Sequence, residues 1–368
     1  MIISSLSKSF STMAEDAATK ISAHKVEQFL VKEFNFKKSN ITNISHLVGY
    51  DNDNFQISTS DNKKYILKIF PIYFKKEDLE AQFAAVDLLY ENLPNGLIAK
   101  ALRNTSTEIT TPLLFTNDGS NEQIVRHCVL SPWLPGEPLQ NLKKITETQL
   151  MEIGKFVGNV SSTLITFPNG RHKDVLMSRS DYKWNTLNLS VCKRLINCIK
   201  DGSRRASVKD FFEEWENEIQ PRIACIEHCV IYGDFNGCNI LISPGPDWKI
   251  IGLIDFEDVG IGTISTEVGN LITYMDMFEA YDVLSIGSHL LRGFSKSHSL
   301  SLQEVDLLFY LVKARCVMSS LYGLHQHSLN PENNYLIQSQ EFTWRTYLTL
   351  EKLGYDLVTR HWRNAAGY

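Results

Sequence analysis

A chain of 368 residues with 37 basic and 42 acidic side chains, a net charge of −5, is long enough for two domains or one large two-lobed unit. Its basic residues are scattered rather than gathered in a stripe, which disfavours a nucleic-acid partner and leaves a small anionic ligand open. Seven cysteines without a Cys-x-x-Cys pair argue against a zinc site and a disulfide scaffold, and suit a reducing, cytoplasmic compartment.

In chain order, Met1 to Thr12 is Ser-rich with Lys8 as its one basic residue, a faint likeness to a mitochondrial transit peptide. The reading adopted is a flexible tail over residues 1–21. Ser22 to Phe34 places Val26, Phe29, Leu30 and Phe34 near helical spacing. Ile44 to Ile57 reads as two strands around a turn containing Gly49 and Asn54. Lys63 to Phe70 alternates as a strand and sets Lys68 between apolar residues, where an ammonium needs a partner. Glu77 to Leu89 is helical in pattern, with Glu80 near its start. Thr110 to Thr116 and Gln123 to Leu130 read as strands joined by the turn Asn117-Asp118-Gly119. The Pro- and Gly-rich run Ser131 to Pro138, containing Trp133, is a stiff connector, which sets a smaller lobe at 22–130 and a larger one at 131–368. In the larger lobe, Thr146 to Thr166 and Val208 to Ile219 have amphipathic helical spacing. No run of about eighteen apolar residues stands out, so neither a membrane span nor a membrane partner is expected.

The stretch Cys229 to Gly260 carries the chemistry. Two β-branched runs, Ile240 to Ile242 and Ile250 to Ile254, flank Ser243-Pro244-Gly245-Pro246-Asp247 and read as a hairpin. Centred near Asp247, it should bring Asn239 and Asp255 face to face at its open end, with Asp234 on the loop leading in. An amide oxygen beside a carboxylate, with a second carboxylate upstream, suits a hard divalent cation and leaves one carboxylate free. A buried hairpin with chance carboxylates is the alternative, and it leaves the polar residues at the strand ends without a reason.

Asp234, Asn239 five residues later, the hairpin and Ile254-Asp255-Phe256 resemble the catalytic loop and metal motif of the aminoglycoside phosphotransferase superfamily, whose fold is similar to that of protein kinases. Leu311-Val312-Lys313-Ala314-Arg315, Pro331 to Leu336 and Trp344 are similar to its hydroxylysine kinase branch. The resemblance implies an α+β fold, with a small antiparallel-sheet lobe and a larger helical one. It implies transfer of the γ-phosphoryl of GTP or ATP, with Mg2+, to the side-chain hydroxyl of 5-hydroxy-L-lysine. Asp234 would be the base, Asn239 and Asp255 the metal ligands, and Lys68, Glu80, Asn54 and Trp133 nucleotide contacts. An acceptor with two amines and one carboxylate needs anions and a cation. Glu257, Asp258 and Glu267 are candidates for the amines, and Arg315 for the carboxylate.

Four positions depart from the superfamily pattern: a glycine-poor turn, Tyr232 in place of histidine, Glu257 in place of glycine and Asn270 in place of aspartate. Other alcohols (choline, ethanolamine, a sugar, an aminoglycoside) and a catalytically silent nucleotide- or partner-binding module remain alternatives.

Overall fold

The computed structural model describes residues 21–47, 49, 52–116, 123–179, 182–278 and 281–368. The expected tail (but for Ile21), Tyr50 and Asp51 of the first turn, and the Asn117-Asp118-Gly119 turn lie outside the described residues. The described residues form two compact units: those within 1–90 together with those within 98–134, and those within 91–97 together with those within 135–368.

In the first unit, α1 (Ala23–Phe34) starts where the Ser22 side chain accepts from the Lys25 N–H, and stops at left-handed Asn35. Strands β1 (Ile41–Leu47), β2 (Asp53–Thr59), β3 (Lys64–Ile69), β4 (Thr111–Thr116) and β5 (Gln123–Pro132) form one antiparallel sheet in the order β1-β2-β3-β5-β4. Period-two alternation sends Phe55, Ile57, Leu67 and Ile69 into a core shared with Val26, Phe29 and Leu30 of α1. Lys68 therefore lies on the other face, across from Asn54 on β2 and Val129 on β5. Helix α2 (Lys76–Asn92) buries Leu79, Ala85, Val86 and Leu89. Strand β5 runs on to Pro132 because Ser131 and Pro132 pair with Ile66 and Tyr65. The chain thus leaves this unit after Leu134, inside the Pro-rich run.

In the second unit, β6 (Glu137–Pro138) borders a hairpin of β8 (Ile240–Ile242) and β9 (Ile250–Leu253), while β7 (Cys229–Ile231) pairs with β10 (Gly260–Gly262). Around these lie α3 (Glu147–Ile165), opened by a Thr146–Gln149 capping box, and α4 (Arg171–Ser178). Helix α5 (Gly202–Glu214) begins earlier than its apolar pattern, because Asp201 caps it, and continues through a π-turn, Trp215–Ile219, into α6 (Gln220–Ile223). Then come α7 (Ile264–Met275), α8 (Val283–Phe294), α9 (Leu302–Leu329), α10 (Gln340–Leu353) and α11 (Tyr355–Ala366). Helix α9 bears on the reading of membrane spans. It is 28 residues long with an 18-residue window of mean hydropathy 1.3, apolar enough by length and composition to cross a membrane, yet 94% of that window is buried inside the protein. Its middle also carries buried Lys313 and Arg315, which places it as the core helix of this unit.

Candidate active site

The loop from β7 to β8 is fixed by α7. Glu267, fully buried, accepts the backbone N–H of Tyr232 at 2.5 Å and that of Gly233 at 3.0 Å. One helical turn on, Asn270 donates from Nδ2 to the Gly233 carbonyl at 2.7 Å and accepts from Thr186 Oγ1 at 3.0 Å. A carboxylate at position 270 would have no proton to give that carbonyl, so the neutral amide is suited to its place. Gly233 has φ +88°, and a Cβ there would sit 2.6 Å from the Asp258 carbonyl oxygen, so glycine is needed on both counts. Tyr232 is buried, donates its hydroxyl to the Ile254 carbonyl at 2.5 Å, and packs on Phe235 and Phe256. It braces the loop by ring and hydroxyl together.

Asp234 emerges from this brace. Its Oδ1 accepts from Arg315 Nη2 at 2.6 Å, and its Oδ2 accepts from Asn236 Nδ2 at 2.9 Å and Asn239 Nδ2 at 2.8 Å. Asn236 also takes the N–H groups of Cys238 and Asn239 on its Oδ1, tightening the loop into a turn. The β8–β9 register differs from the expected pairing by two residues at Ile242, which faces Ile250, and by one at Ile240. A bulge between Leu241 and Ile242 puts Ile240 opposite Leu253, so Asn239 bonds through its carbonyl to the Ile254 N–H at 3.0 Å, and Asp255 comes one residue later. Asp255 leaves the strand with φ +64°, an unusual conformation for a residue with a Cβ.

The site is rich in negative charge. Burial raises the Asp234 and Asp258 carboxyls above the ordinary carboxylate range; the Asp258 charge adds to the shift at Asp234, and the Arg315 guanidinium opposes it at both. Burial pushes Glu267 up to about 7 against the two backbone N–H bonds that favour its charge. The Arg315 guanidinium is held protonated by Tyr274, Asp234 and Asp258 against the cost of its own burial.

Asp234, Asn239 and Asp255 therefore lie together, and Asp258 joins them with its Oδ1 bound by the Tyr182 hydroxyl at 2.8 Å. Glu257 is half-buried and its carbonyl faces Arg179 Nη2 at 3.4 Å. The geometry corrects two expectations. Glu267 spends both oxygens on backbone N–H groups and presents none to an amine. Arg315 is 2% exposed, and its nitrogens are engaged by Asp234, the Trp184 carbonyl and the Tyr274 hydroxyl, so the acceptor carboxylate has no claim on it. Lys68, Asn54, Glu80 and Trp133 belong to the first unit. There Asn54 Oδ1 is buried and makes no hydrogen bond among the described residues, the Glu80 carboxylate lies 3.7 Å from Lys76 Nζ, and the Trp133 N–H pairs with the Lys64 carbonyl. Sequence reasoning passed over Asn236, whose signal was its place two residues after Asp234 in a turn-forming Asn-Gly pair. It also gave no role to Tyr335, whose hydroxyl burial raises above its ordinary range, with Cys238, Asp255 and Asp234 adding to the shift.

The chain's donor set fits a hard divalent cation of the magnesium type. With its Nδ2 on Asp234, Asn239 has its Oδ1 left as an acceptor beside the Asp255 backbone turn. No cluster of three or more His, Cys, Asp or Glu occurs among the described residues that could hold a metal alone. Magnesium takes one or two protein oxygens and fills its shell with water and substrate phosphates, so such a pair is sufficient.

Fold and loop define a kinase-like phosphotransferase that acts on an alcohol group of a small molecule. A sequence model of the phosphotransferase enzyme family matches residues 44–287, and the chain belongs to that family. It is similar to the hydroxylysine kinase of Xenopus laevis, 30% identical over 344 residues, covering 89% of each chain. Among solved structures, an amicoumacin kinase in complex with AMP-PNP, Ca2+ and Ami has a TM-score of 0.64 at 14% identity, covering 93% of this chain and all of that one. The GDP complex of a wild-type aminoglycoside 2'-phosphotransferase-IIIa has a TM-score of 0.57 at 13% identity, covering 90% of this chain and 99% of that one.

Proposed function

We propose that this protein transfers the γ-phosphoryl group of GTP, or of ATP in its place, to the side-chain hydroxyl of 5-hydroxy-L-lysine. The observation that carries the reaction is Asp234, oriented through both oxygens within one loop that also ends in Asn239. The likeness to the Xenopus laevis hydroxylysine kinase supports the acceptor. The acceptor oxygen forms a bond to the γ-phosphorus as the bond from that phosphorus to the β–γ bridging oxygen breaks; the nucleoside diphosphate leaves with that electron pair and Asp234 takes the hydroxyl proton. Asn239 and Asp255 would hold Mg2+, which supplies charge neutralisation on the phosphates when bound. Lys68, with Asn54, is the proposed phosphate contact, Trp133 a base contact and Glu80 the anion that steadies Lys68. Glu257 and Asp258 are the proposed carboxylates for the acceptor's amines.

The commitment of Arg315 to Asp234 favours one second reading, an amino alcohol that lacks a carboxylate. Nucleoside diphosphate release with magnesium separates the two: GTP or ATP is offered against 5-hydroxy-L-lysine, ethanolamine, choline and an aminoglycoside. Release with hydroxylysine is the expected result, and release with ethanolamine alone would replace the acceptor. Asp234→Ala should lower turnover by about 10²- to 10⁴-fold. Full turnover in that variant would end the assignment of the base.

A further inference from the structure

We propose that Arg315 is the positioning residue of the catalytic base, an inference that rests on the reading of Asp234 as that base. Arg315 sits in the middle of α9, 2% exposed, with every side-chain nitrogen given a separate partner. Nε donates to the Tyr274 hydroxyl at 3.1 Å, Nη1 to the Trp184 carbonyl at 3.0 Å and Nη2 to Asp234 Oδ1 at 2.6 Å. The guanidinium lies 5.3 Å from the Tyr274 ring centroid and 5.5 Å from that of Trp184, so two aromatic residues frame the plane while two neutral oxygens hold its edge. A buried guanidinium with two neutral acceptors is uncompensated, and Asp234 supplies the charge that balances it.

The consequence falls on Asp234. A carboxylate on a free side chain rotates about its last bond, but here Oδ1 is tied to Arg315 and Oδ2 to the amides of Asn236 and Asn239. The carboxylate plane is set by folding, so each turnover begins with the accepting lone pair already oriented. Placement of this kind matters because a displacement of about 1 Å costs on the order of 10²-fold in rate. Lysine would not substitute fully, because a single ammonium lacks the flat fork that meets three acceptors in one plane.

The test is steady-state kinetics of the full chain with magnesium and GTP, using 5-hydroxy-L-lysine and ethanolamine as acceptors and nucleotide hydrolysis by water as a third reaction. For Arg315→Ala the expected result is a fall in kcat of about 10²-fold with KM within about threefold, alike for every acceptor that turns over. Added guanidinium ion at non-denaturing concentration should recover at least about tenfold of the lost kcat, and should recover nothing in the Asp234→Ala, Arg315→Ala double variant, which should be no slower than Asp234→Ala alone. Arg315→Lys keeps the charge and most of the volume, so it tests the same point if the alanine variant does not fold; its kcat should fall by about tenfold from wild type with KM unchanged, and an unchanged kcat would overturn the proposal. A raised KM confined to the acceptor that bears a carboxylate, with kcat intact, would make Arg315 an acceptor ligand and overturn the proposal. Independent, multiplicative losses from Asp234→Ala and Arg315→Ala would overturn it too. Failure of the base assignment gives a different signature, full turnover in Asp234→Ala.

Discussion

Glu267 is a carboxyl buried where water cannot reach it, and its value to the protein lies in the loop it braces. Burial raises its carboxyl from the ordinary 4.5 to about 7. The folded state therefore binds a proton over that interval that the unfolded chain has released. The stabilisation from this proton is complete below about pH 4.5 and is lost as pH rises through 7, a change of about 3 kcal/mol. Glu267→Gln does not titrate, so its denaturation midpoint should gain on wild type steadily between pH 5 and pH 8; parallel pH profiles of the two proteins would show that burial does not shift this carboxyl. The same residue marks the limit of sequence reasoning. Asp234 and Asn239 were legible as neighbours because one short loop holds both, whereas Asp255 stands one residue past the partner that the spacing gave Asn239. Glu267 and Arg315 were legible only as charges, and both were matched to the acceptor. Their partners lie 34 and 81 residues away, at Gly233 and Asp234, and burial decided that those charges serve the protein's own loop.

Packing of whole elements decides how rigidly that loop is carried. Helix α7 is buried along nearly all its length, and α9 packs on it where a Cβ at Gly269 would stand 3.0 Å from the Leu311 Cβ. Helices α3 and α8 approach more closely still. A Cβ at Gly293 would stand 1.9 Å from the Met151 carbonyl oxygen, and one at Gly154 would stand 2.1 Å from that of Leu290. Neither contact can be relieved by a side-chain rotation, because the obstructing atoms are backbone. Gly293→Ala should accordingly destabilise by about 1–3 kcal/mol, despite the better helix propensity of alanine, read as a lower denaturant midpoint with the slope unchanged. A midpoint equal to or above wild type would mean that the two helices separate freely. Helical periodicity showed α1 and α3 nearly to the residue, since both bury one stripe and begin at a side-chain cap. It showed less of α5, which begins at Asp201 on polar residues before its apolar stripe starts. The hairpin register was misread because its turn centres on Pro246 rather than Asp247, so that Ile242 faces Ile250, and the bulge between Leu241 and Ile242 restores only one of those two residues of offset.

At the scale of the whole molecule, the alternation of an antiparallel sheet followed by long helices was visible in the sequence, and the five-stranded first unit and helical second unit follow it. A nucleotide that binds the folded protein and not the unfolded chain stabilises it by RT ln(1 + [L]/Kd), about 2.7 kcal/mol at a hundredfold excess over Kd. Magnesium with GTP should therefore raise the thermal midpoint by a few degrees without any acceptor present. If Asn239 and Asp255 are the metal ligands, the gain has a part that depends on magnesium: chelation should remove that part in wild type and change nothing in Asp255→Asn. With Lys68 as the proposed phosphate contact, Lys68→Ala should lower the gain whether or not magnesium is present. Since none of these readings needs turnover, the set distinguishes a failed metal assignment from a failed acceptor. An Asp255→Asn protein that keeps the full magnesium-dependent gain would move the metal to other oxygens of the chain, while leaving Asp234 and its brace where the hydrogen bonds put them.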